Sequence, residues 1–146
     1  IALEKTFERW LTHPKLPFPV LIKGNVDRIE IRNNKLRIID YKTGKVEKSS
    51  VTLSTWDGLT DDIKNDKIIQ ILAYAFMYEN EANNLPIEAG IISFKNLKAG
   101  FLPFAFKTGK ELNETIDQNT LHDYVEQIVL LLTEIFDKNI PFEEKI

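Results

Sequence analysis

The chain has 146 residues, 43% hydrophobic and 28% charged, the balance expected of a single soluble globular domain and too short for two ordinary ones. It contains no cysteine, which excludes disulfides, thiolate zinc sites and iron–sulfur clusters from these residues. The net charge of −3 is not that of a protein held to nucleic acid mainly by a basic surface, and apolar runs such as 128–132 are far short of the ~20 residues of a membrane span.

No membrane association is therefore expected, and the cysteine-free composition fits a cytoplasmic protein. Ile1 is not a start methionine, and patterned sequence begins at once. The expectation is one domain over 1–146, cut from a longer protein.

Residues 1–11 carry apolar side chains at odd positions (Ile1, Leu3, Phe7, Leu11), which suits a strand; Leu3, Phe7, Trp10 and Leu11 would also line a helix face, and the strand is favoured because a strand and a short turn follow. Two prolines, Pro14 and Pro17, make 12–17 a connection. Residues 19–32 read as a long strand. Its apolar phase changes from Val20, Ile22 and Val26 to Ile29 and Ile31, which predicts a bulge or strong twist beside Asp27. Asn33-Asn34 predicts a tight turn into a strand over 35–42. That strand is apolar on both faces, as an interior strand is. Residues 45–60 read as a long loop.

A helix is predicted over 61–81, with Ile69, Leu72, Ala73 and Phe76 as its buried stripe, ended by Asn83-Asn84-Leu85-Pro86. Residues 87–95 and 101–107 read as a hairpin closed through Lys98-Ala99-Gly100. A last helix is predicted over 120–138, with Leu121, Tyr124, Val125, Ile128, Leu131, Leu132, Ile135 and Phe136 at helical spacing. The order describes a mixed α/β or α+β domain of two or three layers.

The chemistry-bearing residues cluster around the first hairpin. Asp40 and Lys42 are two apart on one strand and share a face. The Asn33-Asn34 turn pairs positions whose numbers sum to about 67, which sets Asp27 opposite Asp40. Like charges facing each other destabilise a sheet unless a cation lies between them or one carboxylate is protonated. Two hard oxygen donors suit Mg²⁺ or Mn²⁺, which would leave coordination positions for water and a phosphate oxygen, with Lys42 able to help position an attacking water. The alternative is a surface hairpin with scattered charges and a Lys–Asp pair. Gln70 and Tyr74, four apart, share a helix face. His13 sits in a proline-flanked loop and is expected to be solvated, as is His122 on the last helix.

The run Gly24-Asn25-Val26-Asp27-Arg28-Ile29-Glu30, then Asp40-Tyr41-Lys42-Thr43-Gly44, then Gln70-Ile71-Leu72-Ala73-Tyr74 resembles the PD-(D/E)XK nucleases, and among them the RecB/AddB-like branch with its G-x-x-D-R, D-x-K and Q-x-x-x-Y motifs. The resemblance implies a restriction-endonuclease-like core, a central mixed β-sheet flanked by helices. It implies Asp27 and Asp40 as metal ligands, the Tyr41 backbone carbonyl as a possible third, and Lys42 as the catalytic lysine. Gln70 and Tyr74 would support the site or contact DNA. The cofactor would be Mg²⁺ or Mn²⁺, and the reaction DNA hydrolysis, exonuclease activity included, in recombination and repair. The partner would be a helicase region of the same protein or complex.

Arg28, on the opposite face, would pair with a carboxylate, and Glu30 would be structural. Lys45 and Lys48 read as a solvated charge run, with a small basic edge for DNA as the other reading. The family's N-terminal helix, which supplies a His or Glu, is not evident in 1–18. Glu4 falls where the family often has an acidic residue. Two rivals stand beside this reading: an inactive nuclease-fold scaffold or DNA-binding domain, and a phosphodiesterase acting on small nucleotides.

Overall fold

Asn33 and Asn34 both adopt positive φ, 53° and 61°, closing the two-residue turn that their side chains favour. On either side run β2 (Val20–Arg32) and β3 (Lys35–Lys42), antiparallel, in the register Arg28↔Ile39, Ile29↔Ile38 and Arg32↔Lys35. The computed structural model describes residues 2–137, with side chains from Thr6 onward. β1 (Ala2–Leu11) pairs antiparallel with the other edge of β2. The predicted bulge at Asp27 is absent from that pairing: Leu3↔Arg28 and Lys5↔Val26 keep one register on both sides of it. The interruption lies towards β3, where the ladder stops at Arg28↔Ile39.

β3 is interior, as its two apolar faces predicted. Its second neighbour is β5 (Ile87–Ser93), parallel to it, and β6 (Phe101–Pro103) closes the order β1-β2-β3-β5-β6. A parallel pair needs a crossover, and α1 (Asp66–Tyr78) supplies it, packing on one face of the sheet against all of β1, β2, β3 and β5. Ile68, Ile71, Leu72 and Ala75 are buried at helical spacing. The predicted stripe is thus displaced: Leu72 and Phe76 are buried, while Ile69 and Ala73 are only half-buried. The cause is that α1 is covered on more than one side. α2 (Gln118–Phe136) packs on it, and the Tyr124 hydroxyl donates to the Ile69 carbonyl at 3.1 Å.

The helix predicted over 61–81 is shorter at both ends. Two 3-10 turns, Leu59–Asp61 and Ile63–Asn65, precede it, and a third, Glu79–Glu81, follows. The Asp62 carboxylate accepts from the Lys64 N–H, and the buried Asn65 side chain donates to the Leu59 carbonyl, so these polar groups fold the chain locally instead of extending the helix. The 45–60 loop also carries structure. A 3-10 turn, Lys48–Val51, leads into β4 (Thr52–Leu53). β4 joins β7 (Ala105–Thr108) and β8 (Glu111–Asn113) in a second, three-stranded sheet, so the predicted 101–107 strand is divided between two sheets.

The 87–95/101–107 hairpin forms as Ile91↔Leu102 and Ile92↔Phe101. At Gly90, paired with Pro103, an added Cβ would come 2.7 Å from the Pro103 Cα and closer still to the Leu102 carbonyl, so only glycine fits. α2 starts at Gln118, where the Asp117 carboxylate accepts from the Thr120 N–H as N-cap. Lys138 and the 139–142 segment lie outside the described residues. No helix among the described residues is long and apolar enough to cross a membrane. The mixed α+β expectation holds: a five-stranded mixed sheet with helices packed against it.

Candidate active site

The site forms where the β2–β3 ladder ends. The Tyr41 N–H donates to the Asp27 carboxylate (Oδ2) at 2.8 Å. A side chain thus takes over from the backbone at the point where the strands part. The Lys42 carbonyl accepts from the Phe94 N–H, so the Lys42 backbone faces β5 and that of Tyr41 faces the β2 side. Asp40 and Lys42 project from the face that α1 covers. Asp40 is 5% exposed.

The Lys42 ammonium nitrogen lies 2.9 Å from the buried Asp40 Oδ2 and pairs with it. Burial pushes the Asp40 carboxyl above its ordinary range. Lys42 opposes the shift and the neighbouring Asp27 charge adds to it.

From α1, the Gln70 side-chain carbonyl accepts from Lys42 Nζ at 2.6 Å, and the Gln70 amide nitrogen donates to the Tyr74 hydroxyl at 2.8 Å. The chain runs in one direction, Lys42 to Gln70 to Tyr74, and leaves the Tyr74 proton available to an acceptor in the site. Tyr74 is 7% exposed, and burial, aided by the Asp40 charge, pushes its hydroxyl pKa up. Its ring packs where an added Cβ at Gly24 would stand 3.3 Å from Tyr74 Cε1. Gly24, Asp27, Asp40, Lys42, Gln70 and Tyr74 therefore converge on one place. The reason for Gly24, close approach of the Tyr74 ring, needs the packing of α1 to be seen.

The opposite face of the sheet carries side chains that point away from the site. Arg28 pairs with Glu30 at 3.2 Å and Arg37 with Glu88 at 2.7 Å. Tyr41 stacks on Phe94 with centroids 5.5 Å apart. Lys45 and Lys48 are exposed. His122 is exposed as expected, but His13 is not solvated. Its Nε2 lies 3.2 Å from a Glu126 carboxylate oxygen on α2, a contact across 113 positions, and its Nδ1 accepts from the Lys15 N–H. His13 binds the β1–β2 connection to α2.

Two neighbouring carboxylates of adjacent strands, one of them buried, fit a hard divalent cation. Among the described residues no three His, Cys, Asp or Glu side chains gather to hold a metal. Glu4, whose side chain lies outside the description, falls on β1 between the pairs Leu3↔Arg28 and Lys5↔Val26, across from Asp27.

The family model of the PD-(D/E)XK nuclease superfamily matches residues 1–145. The chain belongs to this superfamily. Neither the curated proteins nor the solved structures contain a match to it. The mixed sheet and its helices agree with the restriction-endonuclease-like fold of PD-(D/E)XK nucleases, and membership makes this a nuclease domain, a hydrolase of phosphodiester bonds. PD-(D/E)XK nucleases typically use divalent metals, in keeping with the donors found here.

Proposed function

We propose that this domain hydrolyses phosphodiester bonds in DNA with the help of Mg²⁺ or Mn²⁺, as the nuclease part of a RecB/AddB-like helicase–nuclease in recombination and repair. The observation that carries the reading is the buried Asp40 carboxylate beside Asp27, with the Lys42 ammonium 2.9 Å away. Asp27, Asp40 and the Tyr41 carbonyl would hold the metal. When bound, the metal would polarise the phosphate and lower the pKa of a coordinated water. Asp27 stays oriented by the Tyr41 N–H. Lys42, held by Gln70, places a positive charge where negative charge grows on the phosphate oxygens and orients the attacking water. Tyr74 holds Gln70 and offers its own proton to substrate oxygen. A helicase region of the same protein or complex would deliver strands.

The test is divalent-dependent cleavage of linear DNA by the wild type and by Asp40→Asn, with a small phosphodiester assayed beside it. DNA cleavage lost in Asp40→Asn supports the reading. Preference for the small ester would move the domain to nucleotide hydrolysis. A second reading, an inactive scaffold or DNA-binding domain, is favoured by one observation: no third acidic side chain joins Asp27 and Asp40 among the described residues. On that reading Mn²⁺ would not raise the melting temperature.

A further inference from the structure

Away from the carboxylates, the second sheet builds a groove of about 570 Å³ lined by Lys48, Lys107 and Lys110, by Ser49 and Ser54, by Leu112, and by Thr52, whose hydroxyl donates to the Lys48 carbonyl at 2.9 Å. Alternation along the strands explains its composition. Thr52 pairs with Ala105 and Leu53 with Phe106, while Lys107 faces Leu112 across the hairpin. Thr52, Lys107 and Leu112 therefore share one face, and Leu53 and Phe106 turn to the other, where Phe106 stacks on Trp56. The Thr108–Glu111 turn, with Gly109 at φ 62°, brings Lys110 over the same groove. Glu111 alternates away from Lys107 and Leu112.

None of the three lysines forms an ion pair among the described residues, although the chain carries a net charge of −3. The nearby Glu47 pairs with Lys45 at 3.8 Å, not with Lys48. Three unneutralised cations and the hydroxyls of Ser49 and Ser54 on one concave surface match the chemistry of a phosphodiester backbone, which offers repeated anionic oxygens and hydrogen-bond acceptors. Lys48 follows Lys42 by six positions, on the segment that leaves the candidate site.

We propose that this groove binds the phosphate backbone of the DNA that the domain cuts. The proposal rests on the nuclease reading for the identity of the polyanion. It assigns substrate holding to residues outside the three motifs and explains how an acidic domain grips DNA.

The test is metal-free binding of a labelled oligonucleotide to the full chain, followed by anisotropy as a function of salt. The combined variant Lys48→Ala, Lys107→Ala and Lys110→Ala is compared with one in which Lys23, Lys35 and Lys98 are changed, an equal loss of charge at exposed sites elsewhere. All six lysines are exposed, so folding is checked simply by circular dichroism. The groove variant is expected to bind about tenfold more weakly at low salt, with the log–log salt slope reduced by roughly 2; the control should change little. Equal losses in both variants, or no loss in the groove variant, would overturn the proposal. So would competition by polyglutamate as effective as unlabelled DNA of the same charge. Binding without EDTA-sensitive cleavage would sink the nuclease reading alone. Cleavage that ignores the groove lysines, with unchanged binding, would sink the groove alone.

Discussion

The Asp27 carboxylate accepts the Tyr41 N–H at 2.8 Å, where the β2–β3 ladder has already ended at Arg28↔Ile39. One acidic side chain therefore closes the hairpin and stands beside Asp40. This dual duty separates two substitutions. Asp27→Ala strands the Tyr41 N–H and should cost about 1–3 kcal/mol of stability. Asp27→Asn keeps an acceptor oxygen and should stay near wild-type stability while losing the thermal shift with Mn²⁺. Urea denaturation and melting with and without Mn²⁺ measure both; an Asn variant as unstable as the Ala variant would contradict the account.

Asp40 sets a pH dependence. Burial, with Asp27 adding, raises its carboxyl pKa in the folded protein. Between the ordinary carboxylate value and this raised one, the folded state binds more protons than the unfolded state. Asp40 therefore makes the metal-free protein lose stability as pH rises through that window, and the contribution is flat above it. Divalent affinity should run the other way, growing as the carboxyl ionises. Melting against pH with EDTA or Mn²⁺ should show the two trends converge in Asp40→Asn.

Gln70 joins Lys42 to Tyr74 through hydrogen bonds of 2.6 and 2.8 Å. Gln70→Ala should lower cleavage by about 10–100-fold with little change in stability, since it acts by holding Lys42. Tyr74→Phe keeps the ring against Gly24 and removes only the hydroxyl, so its loss should be smaller. Single-turnover rates for the two variants decide the order.

Gly90 tests the sheet that carries the site. A Cβ there meets backbone atoms of Leu102 and Pro103, which cannot swing aside as a side-chain end can. Gly90→Ala should cost about 1–3 kcal/mol or more, read from urea midpoints, and a neutral outcome would mean that β6 moves freely.

Much of this was legible because it is local. Two asparagines fix a turn, the turn fixes a register summing to 67, and the register sets Asp27 near Asp40. The D-x-K spacing on one strand face needs no tertiary information. What escaped depends on distant packing. The covering of α1 by both sheet and α2 blurs its stripe, and the Asp62 and Asn65 side chains delay its start. The division of 101–107 between two sheets depends on β4, a two-residue strand with no periodic signal. His13 looked solvated because Glu126 lies 113 positions away. Gly24 had a motif but no visible reason until Tyr74 was packed on it.

The most direct measurement is the cleavage of linear single- and double-stranded DNA in Mn²⁺ by the wild type and by Lys42→Ala at matched folded concentration. The account predicts EDTA-sensitive cleavage that falls by at least about 100-fold in the variant. Cleavage that is equal in both proteins would contradict it, because the lysine held by Gln70 beside Asp40 would then have no part in the reaction.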